Sequence, residues 1–161
     1  MAQFFQISAN EVLSGISKAI YDVFGDTLSI YKDKQENLEL PAVTIYCINY
    51  EKVMGRNDRY TNTFNIIINY FADDTFIINN RTEMFVNAEK IMDAIKYINL
   101  PAYTKDDQGN FVETALKSRG QDIKVEEQDE FMQISVTYTV RTKEHKDEVK
   151  MQTLEENIST K

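Results

Sequence analysis

The sequence predicts an α+β domain in which a single mixed or antiparallel β-sheet of about five strands packs against two amphipathic helices, in the order α-β-β-β-α-β-β. Two stretches, Tyr60 to Phe71 and Phe131 to Arg141, alternate large apolar residues with small or polar ones, as half-buried strands do. Residues 8–24 and 80–98 instead repeat apolar residues every three or four positions, as amphipathic helices do. One sheet with both helices on its apolar face accounts for all these patterns.

The first helix begins at a capping box, because Ser8 and Glu11 have the spacing at which side chains satisfy free backbone amides at a helix start. Gly25 is placed to end this helix in a left-handed conformation. The apolar stripe between these ends consists of Val12, Leu13, Ile16, Ala19, Ile20, Val23 and Phe24. A short strand containing Leu28 and Ile30 follows.

Two long strands joined by a polar connection come next. Leu40 to Tyr50 is rich in β-forming residues, with Pro41 near its start, where a missing amide donor costs least. Glu51 to Arg59 is mostly charged or turn-forming, so the two strands are predicted to form an antiparallel hairpin whose tip stands in water. In the second strand Tyr60, Phe64, Ile66, Ile68 and Tyr70 share one face, Thr61, Thr63, Asn65 and Asn69 share the other, and Asn62 and Ile67 break the alternation.

A second helix is predicted from about Asn80 to Ile98, with Asn80 and Glu83 spaced as a cap and Pro101 just beyond its end. Its apolar stripe consists of Met84, Phe85, Ala88, Ile91, Met92, Ile95 and Ile98. Such a stripe covers a sheet, so no cofactor is expected there.

A polar loop over residues 104–110 and a short extended segment over residues 111–116 precede a second hairpin. Ile123 and Val125 alternate in its first strand, and residues 126–130 form an acidic turn. In its second strand Met132, Ile134, Val136, Tyr138 and Val140 share one face, and Gln133, Ser135, Thr137 and Thr139 share the other.

Residues 1–141 are predicted to form one domain and residues 142–161 a charged C-terminal arm or tail. A chain of 161 residues is long enough to bury about 70% of its unfolded surface without a metal or disulfide. The final segment has no aromatic residue, and its sparse apolar positions are Val149, Met151, Leu154 and Ile158. These four could dock on a neighbour as an arm, and a frayed tail explains the composition equally well.

Charge and cysteine content restrict the partners. The formal net charge of -8 argues against nucleic acid as an affinity partner, because phosphate binding depends on clustered Lys and Arg. DNA is therefore expected to pass the protein without specific binding. The one cysteine, Cys47, lies in an apolar strand and is interpreted as a small buried hydrophobe. We expect a cytoplasmic protein with no membrane partner, since neither a signal peptide nor a membrane-length apolar run is present.

Groups that could converge for catalysis are scarce. His145, the one histidine, lies between Glu144 and Lys146 in the charged tail, where a solvated imidazole is the simplest interpretation. The five glycines are scattered singly and form no phosphate-binding loop. The strongest enzymatic alternative is metal-dependent hydrolysis by Glu126, Glu127, Asp129 and Glu130, with Asp73 and Asp74. Adjacent acids in a turn mostly point apart, so we predict no enzyme, no catalytic residue, no cofactor and no metal site.

Several short segments, taken with the order of the elements, carry a resemblance to a known family. They are Ile30-Tyr31, Leu40-Pro41-Ala42, Gly55-Arg56, Arg59-Tyr60, Asn69-Tyr70-Phe71, Ala94-Ile95-Lys96-Tyr97-Ile98, Arg119-Gly120, Val136-Thr137-Tyr138 and Met151-Gln152-Thr153-Leu154-Glu155. Together they resemble the tail terminator, or tail completion, family of long-tailed bacteriophages and prophages of Gram-positive bacteria.

That resemblance implies a structural virion protein, assembled in the bacterial cytoplasm, at the head-proximal end of the tail. It implies a ring, a hexamer of this chain, that stops polymerisation of the tail tube protein and offers a joining surface to the head completion or connector protein. A closed ring uses heterologous interfaces, so each protomer needs two complementary patches. The alternatives are another neck or head-tail connector protein, a tail-tube subunit, or a host adaptor domain that uses β-augmentation.

The connection between the two long strands is the candidate interface loop. Val53 and Met54 are the clearest indication of an interface, because apolar residues between charges are not needed in a turn that only contacts water. The candidate contact residues are Glu51, Lys52, Val53, Met54, Arg56, Asn57, Asp58 and Arg59. A plain solvated turn is the alternative.

Overall fold

A computed structural model describes residues 7–33, 37–72 and 81–143. This part of the chain contains α1 (Ala9–Phe24), β1 (Ser29–Tyr31), β2 (Ala42–Met54), β3 (Arg59–Phe71), α2 (Arg81–Ala94), β4 (Tyr97–Lys105), β5 (Phe111–Glu127) and β6 (Met132–Lys143), with a 3-10 turn (Gly25–Thr27) after α1. The strands form one sheet in the order β1-β2-β3-β6-β5-β4, which curls into a half-barrel. Among these strands only β1 and β2 run parallel to each other. The predicted α+β class is confirmed, but the sheet of the described residues has six strands rather than five.

Helix α1 begins at the predicted capping box. The Glu11 amide donates to Ser8 Oγ at 3.3 Å, and the Ser8 amide donates to Glu11 Oε1 at 3.2 Å. Of the predicted stripe, the buried residues are Val12, Leu13, Ile16 and Ile20, and the partly buried ones are Ala19 and Phe24. Val23 is exposed, so its place in the stripe was wrong. Gly25 does end the helix, donating to the Tyr21 carbonyl, but its φ of 60° and ψ of -139° lie outside the left-handed helical region that we predicted.

The segment after the second helix is where prediction and structure differ most. Helix α2 ends at Ala94 rather than at Ile98, and after a turn at residues 95 and 96 the chain enters β4. Ile95 and Ile98 are both buried, so helical spacing could not distinguish a last helical turn from the start of a strand. Strand β4 contains Pro101, which is tolerated because β4 is the edge strand of the sheet.

The predicted stripe of α2 is otherwise confirmed in part. Met84, Ala88 and Ile91 are buried and Met92 packs against the core, whereas Phe85 is exposed and does not belong to the stripe. The proposed cap residue Asn80 lies outside the described residues.

Strand β5 belongs to two parts of the sheet. From Phe111 it pairs with β4, so the predicted loop shrinks to a turn over residues 106–110, and from Gly120 it pairs with β6. The register shifts after Gln121, and Asp122 has a φ of 52°. This β-bulge bends the strand and gives the sheet a corner.

Gly120 stands at that corner because no side chain fits there. A Cβ atom at this position would lie 2.9 Å from the Ile95 carbonyl oxygen and 3.0 Å from Val136 Cγ2. The Gly120 amide donates to the Lys96 carbonyl at 2.7 Å, which holds the two backbones together.

The hydrophobic core lies between the helices and one face of the sheet. The predicted buried faces of both long strands are confirmed: the core includes Phe64, Ile66, Ile68, Tyr70, Met132, Ile134, Val136, Tyr138 and Val140. Tyr60 is half-buried, and Asn62 is buried on this same face. On the opposite face of β3, Ile67 and Asn69 are also buried. No helix among the described residues is long and apolar enough to cross a membrane.

Tyr138 makes the core sensitive to alkaline pH. Its hydroxyl donates to the Ile95 carbonyl, and burial raises its pKa far above the usual value. The folded state therefore holds this proton more tightly than the unfolded chain, so Tyr138 adds no pH dependence to the stability below about pH 10, and its contribution is lost as the pH rises above that value. Tyr138→Phe should cost about 1 kcal/mol at neutral pH, through the lost hydrogen bond, and should make the fall above about pH 10 shallower. Urea denaturation at a series of pH values measures both effects, and an unchanged alkaline slope would contradict the assignment.

Candidate protein interface

The far end of the β2–β3 hairpin stands clear of the core. Every residue from 48 to 59 is exposed, and β6 continues beside β3 through Lys143, past the predicted domain boundary at Arg141. Strand β5 pairs with β6 only as far as Tyr138, so among the described strands the last residues of β6 have β3 on one side only. We call residues 48–63 together with residues 139–143 the arm. This arm differs from the C-terminal arm predicted over residues 142–161, of which it contains only Thr142 and Lys143.

The connection at the tip of the arm is shorter than predicted. Strand β2 extends through Met54 and β3 begins at Arg59, so five of the nominated loop residues are strand residues: Glu51, Lys52, Val53, Met54 and Arg59. The remaining turn is closed by the Gly55 amide, which donates to the Arg59 carbonyl at 2.7 Å. Asn57 and Asp58 have φ values of 59° and 57°, a conformation that short polar side chains tolerate. Pairing with β3 overrides the low strand propensity of this charged segment.

The arm exposes apolar side chains on both of its faces. Val53 is 52% exposed and Met54 is 70% exposed, and adjacent strand residues point to opposite faces. Tyr50 and the bulged residue Ile48 are exposed along the same strand. A partner could therefore bury apolar surface on either side of β2 or along its edge.

That edge of β2 is open within the described residues. Strand β1 pairs only with Ala42 to Thr44, and from Ile45 to Met54 no neighbouring strand of the described chain lies on the outer side of β2. Of the two terminal strands, β1 is only three residues long, and β4 carries Pro101, which interrupts regular pairing there. The β2 edge is thus the one prepared to accept another strand.

A polar network centred on the buried Asn62 connects the strands at the base of the arm. The rings of Tyr50 and Phe64 stack with centroids 4.8 Å apart, and the Tyr50 hydroxyl donates to Asn62 Oδ1 at 2.9 Å. The Asn62 Nδ2 donates to the Val140 carbonyl at 3.1 Å and to Thr142 Oγ1 at 2.9 Å, so Asn62 connects all three strands. In the sequence Asn62 only interrupted the apolar alternation; a polar residue at a core position is the signal that marks this network.

Four basic side chains surround a cleft at the tip of the arm. The cleft has a volume of about 620 Å³, and its charged lining residues are Arg56, Arg59, Arg141 and Lys143. Arg56 and Arg59 were in the predicted interface, but Arg141 and Lys143 were not. They reach the site because β6 pairs with β3, which places Lys143 directly opposite Arg59. No sequence signal marks that pairing.

The described residues hold no group of three or more His, Cys, Asp or Glu side chains able to bind a metal ion. Of the carboxylates considered for metal-dependent hydrolysis, Glu126 and Glu127 are exposed at the end of β5, so the turn predicted over residues 126–130 begins later, at residue 128. Asp129 and Glu130 are exposed in that turn, and Asp73 and Asp74 lie outside the described residues. His145 also lies outside the described residues, as do the predicted C-terminal arm residues Val149, Met151, Leu154 and Ile158.

Cys47 is partly buried rather than buried as predicted. Its thiol donates to the Asn49 carbonyl at 3.1 Å. Burial is the main cause that raises its pKa, the opposite of what an activated nucleophile needs.

The fold and the arm define a small α+β protein that offers an open strand edge, apolar side chains and a basic cleft to other macromolecules. Residues 11–150 match the family model of phage tail terminator proteins. The chain belongs to this family, and its role is that of a structural protein of the phage tail. No curated protein matches the chain. The resemblance found in the short segments is thereby confirmed for the family, while the Gram-positive host stays a prediction.

Proposed function

We propose that this chain assembles into a ring, a hexamer, at the head-proximal end of the tail tube, where it stops tube polymerisation and presents the surface that joins the tail to the head. Membership of the tail terminator family supports the phage tail role. The observation that carries the assembly role is the open edge of β2 in the arm, with Val53 and Met54 exposed beside it.

An open strand edge with exposed apolar side chains gains stability when a partner covers it. The charged residues Glu51 and Lys52 and the bulge at Ile48 restrict indiscriminate pairing along this edge. Such an edge favours a partner of matching shape and charge over self-aggregation. The candidate partners are a neighbouring copy, the last ring of the tail tube protein, and the head completion or connector protein.

This role needs contact and no turnover. The protein acts as a cap whose surfaces decide which subunit is added next, without cofactor or metal. Its acidic character, with a net charge of -8, favours the passage of DNA without retention.

Replacing both Val53 and Met54 with serine should leave the monomer folded and weaken assembly and tube capping at least about tenfold, since two exposed apolar contacts are lost. Light scattering gives the mass of the free protein, and electron micrographs of tubes grown with the protein give the tube lengths. The matched control is Val23→Ser with Val112→Ser, which removes apolar side chains of similar exposure outside the arm. Unaltered capping by the Val53 and Met54 variant would remove this surface from the interface.

The alternative roles predict different assemblies. A tail-tube subunit would form polymers of many sizes from this chain alone, whereas another neck protein would form rings without shortening the tubes. A host adaptor would neither form rings nor respond to tubes, and the family assignment disfavours it. The same mass measurement and the same tube lengths separate these roles.

A further inference from the structure

The basic cleft at the tip of the arm is unusual for so acidic a chain. Arg59 and Lys143 lie directly opposite each other on adjacent strands, and Arg141 follows on the same face of β6. Like charges directly opposite each other destabilise a sheet. None of these three side chains, nor Arg56, forms an ion pair with a described residue. The arrangement therefore calls for an anionic partner.

A matching anionic surface lies at the other end of the same strand. The end of β5 carries Glu126, and the turn that follows carries Asp129 and Glu130; all three are exposed, and we call them together the acidic turn. Glu126 pairs with Gln133, which shares its face of β6 with Arg141. This acidic turn lies on or beside the same face of the sheet as the basic cleft.

The two patches of one chain cannot meet each other. From Gln133 to Arg141 a strand rises by about 26 Å, and the basic cleft and the acidic turn lie beyond its two ends. The two patches are thus placed to contact two different neighbours, one at each end of the protomer. Complementary patches at opposite ends of one protomer make a head-to-tail contact, which closes a ring when the rotation between neighbours permits it.

We propose that the basic cleft of one copy binds the acidic β5–β6 turn of the next copy. The inference rests on the proposed ring and names the contact within it. The carboxylates of Glu126, Asp129 and Glu130 accept hydrogen bonds from the guanidinium and ammonium groups around the cleft, which relieves the repulsion between Arg59 and Lys143. A second copy suits the site better than DNA, because duplex DNA would also meet the remaining surface of a chain with a net charge of -8.

Charge reversal tests the contact. Arg59→Glu with Arg141→Glu should raise the concentration needed for assembly at least about tenfold, and Glu126→Lys with Glu130→Lys should do the same. The chain with all four substitutions should assemble again. So should an equimolar mixture of the two double variants, because each then offers the other a complementary patch. Light scattering over a concentration series measures the assembly of each variant and of the mixture. Assembly that survives both double variants, or fails to return in the combined ones, would overturn the pairing.

Three measurements test this contact against a general effect of net charge and against DNA binding. Lys90→Glu with Lys117→Glu changes the net charge by the same amount as Arg59→Glu with Arg141→Glu, but at exposed sites outside the cleft. It should leave assembly unchanged. Raising the salt concentration to about 1 M should weaken assembly of the wild type, because screening then acts within about 3 Å. Duplex DNA could instead bind the wild type in low salt and fail to bind the variant with Arg59→Glu and Arg141→Glu, while assembly of that variant is unaffected. This result would assign the cleft to DNA and overturn the proposal.

The outcome for the proposed function is read separately, from tube lengths. A wild type that stays monomeric at every concentration yet caps tubes overturns the contact and leaves the capping role in place. Charge-dependent assembly without any effect on tubes supports the contact and contradicts the capping role.

Discussion

Replacing Phe64 with alanine should lower the free energy of unfolding by about 4 kcal/mol. Phe64 is fully buried, its ring stacks on Tyr50, and it lies opposite Tyr138 on the neighbouring strand. The substitution removes the side chain at the junction between the core and the arm, and paired strands on both sides keep the resulting cavity from closing. Guanidinium denaturation followed by circular dichroism should show a lower midpoint with a similar slope.

The matched control is Phe85→Ala, the same deletion at a residue that the sequence placed in the core and the structure places at the surface. With Phe85 38% exposed, this change should cost less than about 1 kcal/mol. Similar costs for the two variants would mean that Phe64 does not anchor the base of the arm.

Gly120→Ala should destabilise the protein by about 3 kcal/mol, because the added methyl group meets backbone rather than a flexible side chain. Its nearest neighbour is the Ile95 carbonyl oxygen at 2.9 Å; the Tyr138 hydroxyl holds Ile95 in place, and the Gly120 amide holds the next residue, Lys96. Either the corner of β5 moves away from the end of α2 or the contact stays compressed. Thermal unfolding measured by calorimetry should show a lower midpoint and a lower enthalpy.

Gly55→Ala provides the comparison for Gly120. Among the described residues, a Cβ atom at Gly55 meets the Arg59 carbonyl oxygen alone, at 3.4 Å, so the change should stay within about 0.5 kcal/mol of the wild type. If Gly120→Ala were equally harmless, the close approach between β5 and the α2–β4 turn would be refuted.

The elements that could be predicted are those whose signal is local. Alternation over β3 and β6 marks the buried face of each strand, and the Ser8–Glu11 spacing marks the start of α1. Each of these patterns depends only on how one element faces the core, so the amino-acid sequence of that element is sufficient to predict it.

The elements that could not be predicted depend on pairing between distant segments. Ile95 and Ile98 satisfy helical spacing and strand burial alike, and Pro101 argues against a strand unless the strand is known to lie at an edge. The basic cleft likewise arises from the register that brings Lys143 to Arg59. The sequence therefore predicted only the part of the candidate interface that is continuous along the chain, which is the connection between β2 and β3.

The end of β6 has a practical consequence for anyone who works with this protein. Because Lys143 lies opposite Arg59, the chain leaves the last described strand at the tip of the arm and beside the basic cleft. A fluorophore or affinity tag attached shortly after Lys143 would start within reach of the surface whose contacts are to be measured. Assembly assays should therefore use labels placed at other positions of the chain, and a tag at that position becomes a deliberate steric probe of the arm.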